Sequence, residues 1–271
     1  RDSVFNDFNT ISKDSYEGVL FRTEFKGGAN VDDKFELNYI YSLKNMESVF
    51  EFKKSIASIN GNEWLINPMG KSNHLFSFDS QSSRFKLNEF EVVSDNEKIL
   101  FSMNYLNSSD FNFRLIADKV LLGQLDISSK NFQVGGTLDL DVAFKRSQYN
   151  NSLNIDGNIS GFNLNKLFMG DLSFYTEGNT QNNSYDINLL ISDGLNESLI
   201  GNGNISGIDK KPYLNIDFNF NDFNLSILNP IGNGDIDNIR GKISGLINLS
   251  GSIDNLSHHG KLILDDGGLA I

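Results

Sequence analysis

The chain has 271 residues, enough for one large domain or two, and its 39% hydrophobic and 21% charged content excludes wholesale disorder. A net charge of −12 argues against a nucleic-acid partner and against a basic membrane-surface patch, since both need clustered Lys and Arg. No apolar run reaches the roughly 18–20 residues that a spanning helix needs, and the absence of cysteine fits an Asn-rich coding bias or an exported protein that needs no disulfides.

Residues 1–34 are polar and mixed, with Val19–Phe21 and Phe25 suggesting a strand before a Gly27-Gly28 turn. Phe35, Leu37, Tyr39, Tyr41 and Leu43 then alternate with polar residues, and a period of two is that of a half-buried β-strand. Lys44–Lys54 fits either a helical turn or a strand. Ile56–Ile59 and Asn62–Ile66 read as short strands, the second closed by a turn at Pro68. From Phe76 and Phe78 the alternation is steady: Phe85 and Leu87; Phe90 and Val92; Ile99, Phe101, Met103 and Tyr105; Phe111, Phe113, Leu115 and Ala117. It resumes with Leu138, Leu140, Val142 and Phe144, then Leu153, Ile155, Gly157 and Ile159, then Leu172 and Phe174, then Tyr185, Ile187, Leu189 and Ile191. Leu199, Gly201, Gly203 and Ile205 precede the clearest run, Leu214, Ile216, Phe218 and Phe220. Phe223–Leu228 is too short to assign as a helix. Ile243, Gly245, Ile247 and Leu249 follow, and Leu262 and Leu264 begin one more run.

These are roughly eighteen runs, nearly all with one apolar and one polar face, the pattern of antiparallel sheet with one dry side. A sandwich has roughly 7–9 strands, and open twisted sheets rarely exceed about ten. So many short strands must split, close or stack. No linker marks a split, so an elongated antiparallel sheet rolled with its apolar face inward, an all-β trough, is the expected architecture. The chain starts at Arg1 and stops within what reads as a strand, so it is expected to be a fragment of something longer, without a visible signal peptide.

A degenerate repeat underlies the rhythm. Leu153-Asn154-Ile155-Asp156 is followed nine residues later by Phe162-Asn163-Leu164, as Leu214-Asn215-Ile216-Asp217 is by Phe223-Asn224-Leu225. Lys119–Leu125 likewise resembles Lys166–Leu172 in sequence.

No catalytic constellation stands out. His74, His258 and His259 have no partner at metal-ligand spacing and read as solvated turn residues, the adjacent pair facing opposite sides of a strand. Asp265-Asp266 and Asp235-Ile236-Asp237 lack calcium-loop spacing and read as turn acids. There is no nucleophile elbow, and Gly201–Asn204 is not a nucleotide loop. The Asn-x-Ser sequons at Asn107, Asn158, Asn204 and Asn248 are expected by chance in an Asn- and Ser-rich chain. No enzyme activity, metal or cofactor is expected. The apolar stripe could be a closed core or a groove that holds acyl chains. Periodicity does not separate the two, although the residues alone favour the core. Gly157, Gly201, Gly203 and Gly245 fall on that stripe, where glycine could bend the sheet or leave room for a ligand.

The segment Phe223-Asn224-Leu225-Ser226-Ile227-Leu228-Asn229-Pro230, with Arg240-Gly241-Lys242-Ile243-Ser244-Gly245, Leu249-Ser250-Gly251 and Gly260-Lys261-Leu262, resembles the C-terminal region of the TamB family, in the AsmA-like group. The resemblance is strongest over 111–271; Trp64–Pro68 is similar to an upstream element of Bacteroidota-type members. The first sixty residues match poorly, so 1–60 is expected to be a β-rich segment continuous with a TamB-type trough over 61–271. The resemblance implies a U-shaped apolar trough in the periplasm, joined to the inner membrane by an N-terminal anchor outside this chain. It also implies an Omp85-type partner at the outer membrane, phospholipid acyl chains as cargo and a role in outer-membrane protein assembly. Under it the stripe becomes an open lipid groove. The lining residues would be Phe85, Leu87, Ile99, Phe101, Met103, Phe111, Phe113, Leu115, Leu138, Leu140, Val142, Leu153, Ile155, Ile159, Ile187, Leu189, Leu214, Ile216, Phe218, Phe220, Ile243, Ile247 and Leu249.

Overall fold

The computed structural model describes residues 4–28, 32–125, 133–181, 183–207, 211–232 and 237–270, so Asp235 and Ile236 of the turn-acid reading lie outside the described residues. The protein is all-β, with eighteen strands assigned to one sheet. By contacts the chain forms two units, residues 1–120 with 141–148 and residues 121–140 with 149–271.

The first unit contains β1 (Val4–Ser15), β2 (Gly18–Gly28), β3 (Lys34–Lys44), β4 (Glu47–Phe52), β5 (Ser55–Ile59), β6 (Asn62–Ile66), β7 (Leu75–Asp79), β8 (Arg84–Ser94), β9 (Glu97–Asn107) and nearly all of β10 (Asp110–Leu121). β11 (Val134–Arg146) is divided between the units. The second unit holds β12 (Asn151–Leu164), β13 (Leu167–Asn179), β14 (Ser184–Asp193), β15 (Asn196–Ser206), β16 (Tyr213–Asn224), β17 (Asp237–Ser252) and β18 (Asn255–Ala270). From β12 to β18 each strand pairs antiparallel with the next. Residues 4–15, read as merely polar and mixed, form β1, and Gly27-Gly28 closes β2 rather than making a turn. The ambiguous stretch around Val49 is a strand, β4.

The hairpin turns follow from local chemistry. Asn45-Met46 joins β3 to β4, Asn60-Gly61 joins β5 to β6, and Asn165-Lys166 joins β12 to β13, with positive φ at both central residues (52° and 68°, 51° and 80°, 54° and 68°). That is the type I′ conformation, whose twist matches the flanking strands.

A second device recurs inside the strands. Register shifts fall between Leu87 and Phe90, between Ile159 and Phe162, and between Phe220 and Phe223. In each case the residue just before the phenylalanine has positive φ: Glu89 (40°), Gly161 (64°) and Asp222 (50°). These are β-bulges, which insert one residue and let apolar side chains three apart share a face. The repeated Leu-Asn-Ile-Asp with its following Phe-Asn-Leu is therefore a strand carrying a bulge. The other repeat has no common structure, since Lys119–Leu125 ends β10 and enters a 3-10 turn (Leu122–Gln124), whereas Lys166–Leu172 is a hairpin turn and the start of β13.

In the first unit the ladder forks. β3 pairs with β4 through Tyr39–Lys44 and with β5 through Lys34–Glu36, and the branches rejoin when β7 and β6 both pair with β8. A fork leaves backbone groups without a strand partner, and buried side chains satisfy them. Ser55, 0% exposed, accepts from the Asn38 N–H at 2.8 Å. Asn67, also 0% exposed, donates through Nδ2 to the carbonyls of Phe52 and Lys71 (both 2.8 Å) and accepts from the Lys71 N–H through Oδ1 at 2.8 Å. The Asn67 N–H donates to the Glu91 carbonyl at 3.0 Å.

His74 sits at this fork and corrects the solvated-turn reading: it is 1% exposed, its carbonyl accepts from the Phe52 N–H at 2.9 Å, and neither ring nitrogen has a hydrogen-bond partner. The sequence concealed this because the surroundings that bury His74 come from distant strands. His258 and His259 are exposed as expected, but on β18 rather than in a turn, and Asp265-Asp266, read as turn acids, also lie within β18. Burial pushes the His74 pKa down, opposed by the Glu91 carboxylate, reinforced by Lys71 and opposed again by Glu89. A depressed histidine contributes stability that is complete above its unfolded pKa near 6.5 and is lost as pH falls toward its folded value. Urea midpoints are therefore expected to drop as pH is lowered from about 7 toward 5.5, and His74→Leu is expected to flatten that slope.

Candidate lipid-contacting face

The registers place the predicted lining residues on common faces. In the second unit one cross-strand row runs Ile159–Leu172–Ile191–Leu199–Phe220–Gly245–Leu262. The next runs Gly157–Phe174–Leu189–Gly201–Phe218–Ile247–Gly260, and a third runs Ile155–Thr176–Ile187–Gly203–Ile216–Leu249–His258. A fourth begins at Leu153 and passes through Tyr185 and Leu214, and Ile243 pairs with Phe223 beyond the β16 bulge. Directly opposite residues share a face, so these rows form one surface. Thr176 and His258 are its polar interruptions. Leu138 packs onto the same face near Ile159, and Leu140 is half-buried beside it in sequence.

In the first unit the face is aromatic. Phe85 opposes Tyr105, which opposes Phe111, while Leu87 opposes Met103, which opposes Phe113. Phe101 opposes Leu115, and Ile99 opposes Ala117. Phe144 of β11 carries the ring contacts onward, 5.8 Å from Phe111 and 5.7 Å from Phe113 between centroids, and Val142 lies half-buried two residues before it. On the polar side of the same strands Arg114 forks onto Asp141 at 3.0 and 2.6 Å, and this pairing holds the Asp141 carboxyl below the usual carboxylate range.

The aromatic surface extends further than the predicted residues. Phe25 stacks on Phe35 at 4.7 Å, Phe21 on Tyr39 at 5.4 Å, and Phe50 lies 5.9 Å from Phe76. The signal was present in the alternation of 35–43, but those residues lay outside the strongest resemblance. Also missed was the cluster that covers one end of the second unit's face. Leu122 from the 3-10 turn and Ile227 from a second 3-10 segment (Leu225–Gly232) pack with Ile159, Phe162, Met169 and Ile191.

Most of the predicted residues are half-buried. Ile159 and Ile216 are the ones that are buried, each 8% exposed. Along β16 the contrast is sharp, with Asn215, Asp217, Asn219 and Asn221 exposed between the apolar residues.

The glycines of this face do not open room for a ligand. A Cβ on Gly157 would lie 2.2 Å from the Phe174 ring, and one on Gly201 would lie 3.0 Å from the Phe218 ring. At Gly178 it would meet both the Tyr185 backbone at 2.5 Å and its ring at 2.9 Å. Each aromatic is the cross-strand partner of its glycine and folds over it, an aromatic rescue of a weak strand position. At Gly203 the crowding is from backbone, 2.1 Å from the Asn215 carbonyl oxygen. Among the described residues no group of three or more His, Cys, Asp or Glu could hold a metal ion, and no helix is long and apolar enough to cross a membrane.

Gly203→Ala is expected to cost about 1–3 kcal/mol, because backbone cannot yield as a side chain can. Gly123→Ala, with nothing within 4 Å of the new Cβ, is expected to change stability by less than about 0.5 kcal/mol. Urea unfolding of the two variants measures the contrast.

No protein-family model, no curated protein and no solved structure matches this chain.

Proposed function

We propose that this chain is part of a non-enzymatic, lipid-conducting β-sheet protein of the TamB type, and that phospholipid acyl chains lie along its apolar face. The observation that carries this reading is the run of largely apolar cross-strand rows, interrupted only at Thr176 among β12–β17, most of whose members stay partly accessible rather than sealed. Each methylene laid on such a surface gains up to roughly 0.8 kcal/mol. The rings that fill the glycine notches make the track even, so an acyl chain meets no deep trap along it. Net charge −12 suits a face that recognises the tail rather than an anionic headgroup. The periplasmic location, the inner-membrane anchor and the Omp85-type partner belong to this proposal through the sequence resemblance alone.

A second reading, a scaffold for outer-membrane protein assembly, draws on β18. Its residues are exposed from Asn255 to Gly267, with Ile263 and Leu264 54% and 56% exposed. A strand so uncovered can template another by backbone pairing.

Mass spectrometry of the purified chain is expected to find phospholipid. Phe113→Asp, Ile155→Asp and Ile216→Asp should each lower its amount, while Asn154→Asp on the polar face should not. Circular dichroism would establish that each variant keeps its sheet. A folded, lipid-free wild-type chain, or Asp variants that retain full lipid, would overturn the lipid reading. Crosslinks from β18 to a barrel substrate would favour the scaffold instead.

A further inference from the structure

Along β12–β15 the solvent face is built mainly from Asn, Asp, Ser and Glu, with departures at Phe168, Tyr175, Leu190 and Ile200. The last three line one depression of about 340 Å³, most of whose lining residues alternate onto the face opposite the acyl-chain surface, although Gly157, Phe174 and Leu189 of that surface's row also border it. Residues that break a strand's apolar-in, polar-out rule mark positions where something other than folding sets the choice. The register gives the layout. Asp156, Tyr175, Asn188 and Asn202 form one cross-strand row, and Leu190 lies opposite Ile200 in the neighbouring row. Strands are about 4.8 Å apart and alternate residues about 6.6 Å apart, so the patch sets a strip of polar groups beside an apolar strip.

Asp156, Asn188 and Asn202 make no side-chain hydrogen bond among the described residues, so their oxygens and amides are available to a ligand. The Tyr175 hydroxyl donates to Glu177, which raises its pKa and fixes the ring. Asp156 and Glu197 lie in the lining and no Lys, Arg or His does, so phosphate and other anions are disfavoured. What remains is a neutral ligand that is apolar on one side and rich in hydroxyls along an edge. Planar amides and carboxylates take hydroxyl pairs, while aliphatic and aromatic groups take the C–H side.

We infer that this depression is a saccharide-binding site, with Asn188, Asn202 and Asp156 receiving the hydroxyls and Leu190, Ile200 and Tyr175 receiving the sugar's apolar face. This inference is independent of the lipid reading, since it uses the opposite side of the sheet.

The test uses the 271-residue chain with maltotriose, cellotriose and chitotriose at about millimolar concentration, read by saturation-transfer NMR and calorimetry, with spermidine as a cationic probe. At least one trisaccharide is expected to bind. Asn188→Ala, Asn202→Ala and Ile200→Ser should each weaken it about tenfold or more, whereas Asn104→Ala, in the other unit, should leave it unchanged. These sites are on the solvent face, so circular dichroism is expected to match wild type. The inference is overturned if no trisaccharide binds, if binding survives all three changes undiminished, or if spermidine binds and the sugars do not.

Discussion

Which side of a β-sheet a residue faces is decided by parity, and a slip of one residue in any strand would move its whole apolar set to the solvent side. Everything else in this protein follows from keeping that parity through a long succession of antiparallel pairings. In the second unit it holds across seven strands, where Ile159 and Leu262 belong to one row. Bulges look like breaches of the rule and in fact preserve it. The added residue at Gly161 or Asp222 takes a left-handed conformation, and the phenylalanine after it returns to the apolar side. Glycine and aspartate tolerate that conformation better than bulky residues do, and at the bulge before Phe90 it is Glu89 that adopts it.

Where the ladder cannot continue, polar side chains take over its work. The fork between β3 and β8 would leave backbone donors and acceptors without strand partners, and Ser55 and Asn67 complete them at ordinary hydrogen-bond lengths. Burying these groups costs little because each is paired. His74 is enclosed with both ring nitrogens unpaired, and its lowered pKa adds a sensitivity to acid at the fork.

The sheet class was readable because alternation is a local property. Leu214, Ile216, Phe218 and Phe220 declare their face without reference to any other strand, and the structure pairs them with an apolar or glycine residue on both sides. Features set by distant contacts were not readable. Phe223 follows Phe220 by three residues, a spacing that imitates a helix until the bulge at Asp222 is known. His74 looked like a turn residue because nothing in its neighbourhood announces the packing that covers it. β1 was missed for a related reason. Its Phe5, Phe8 and Ile11 are 57%, 70% and 62% exposed, and their spacing is not the clean alternation that marks a half-buried strand. The candidate acyl-chain surface was legible as a stripe, but not the rings that level it. The depression on the other side left a trace in Leu189-Leu190 and Leu199-Ile200, doubled apolar residues whose second members have no place in the core.

The pairing of Gly157 with Phe174 and of Gly201 with Phe218 has an evolutionary corollary. Neither partner can drift alone: a side chain gained at the glycine collides with the ring, and a ring lost leaves bare backbone beneath it. Descendants of this gene should exchange the two positions together, or swap the glycine and the aromatic between neighbouring strands, so that the couple is inherited as one unit although its members lie seventeen residues apart in each case.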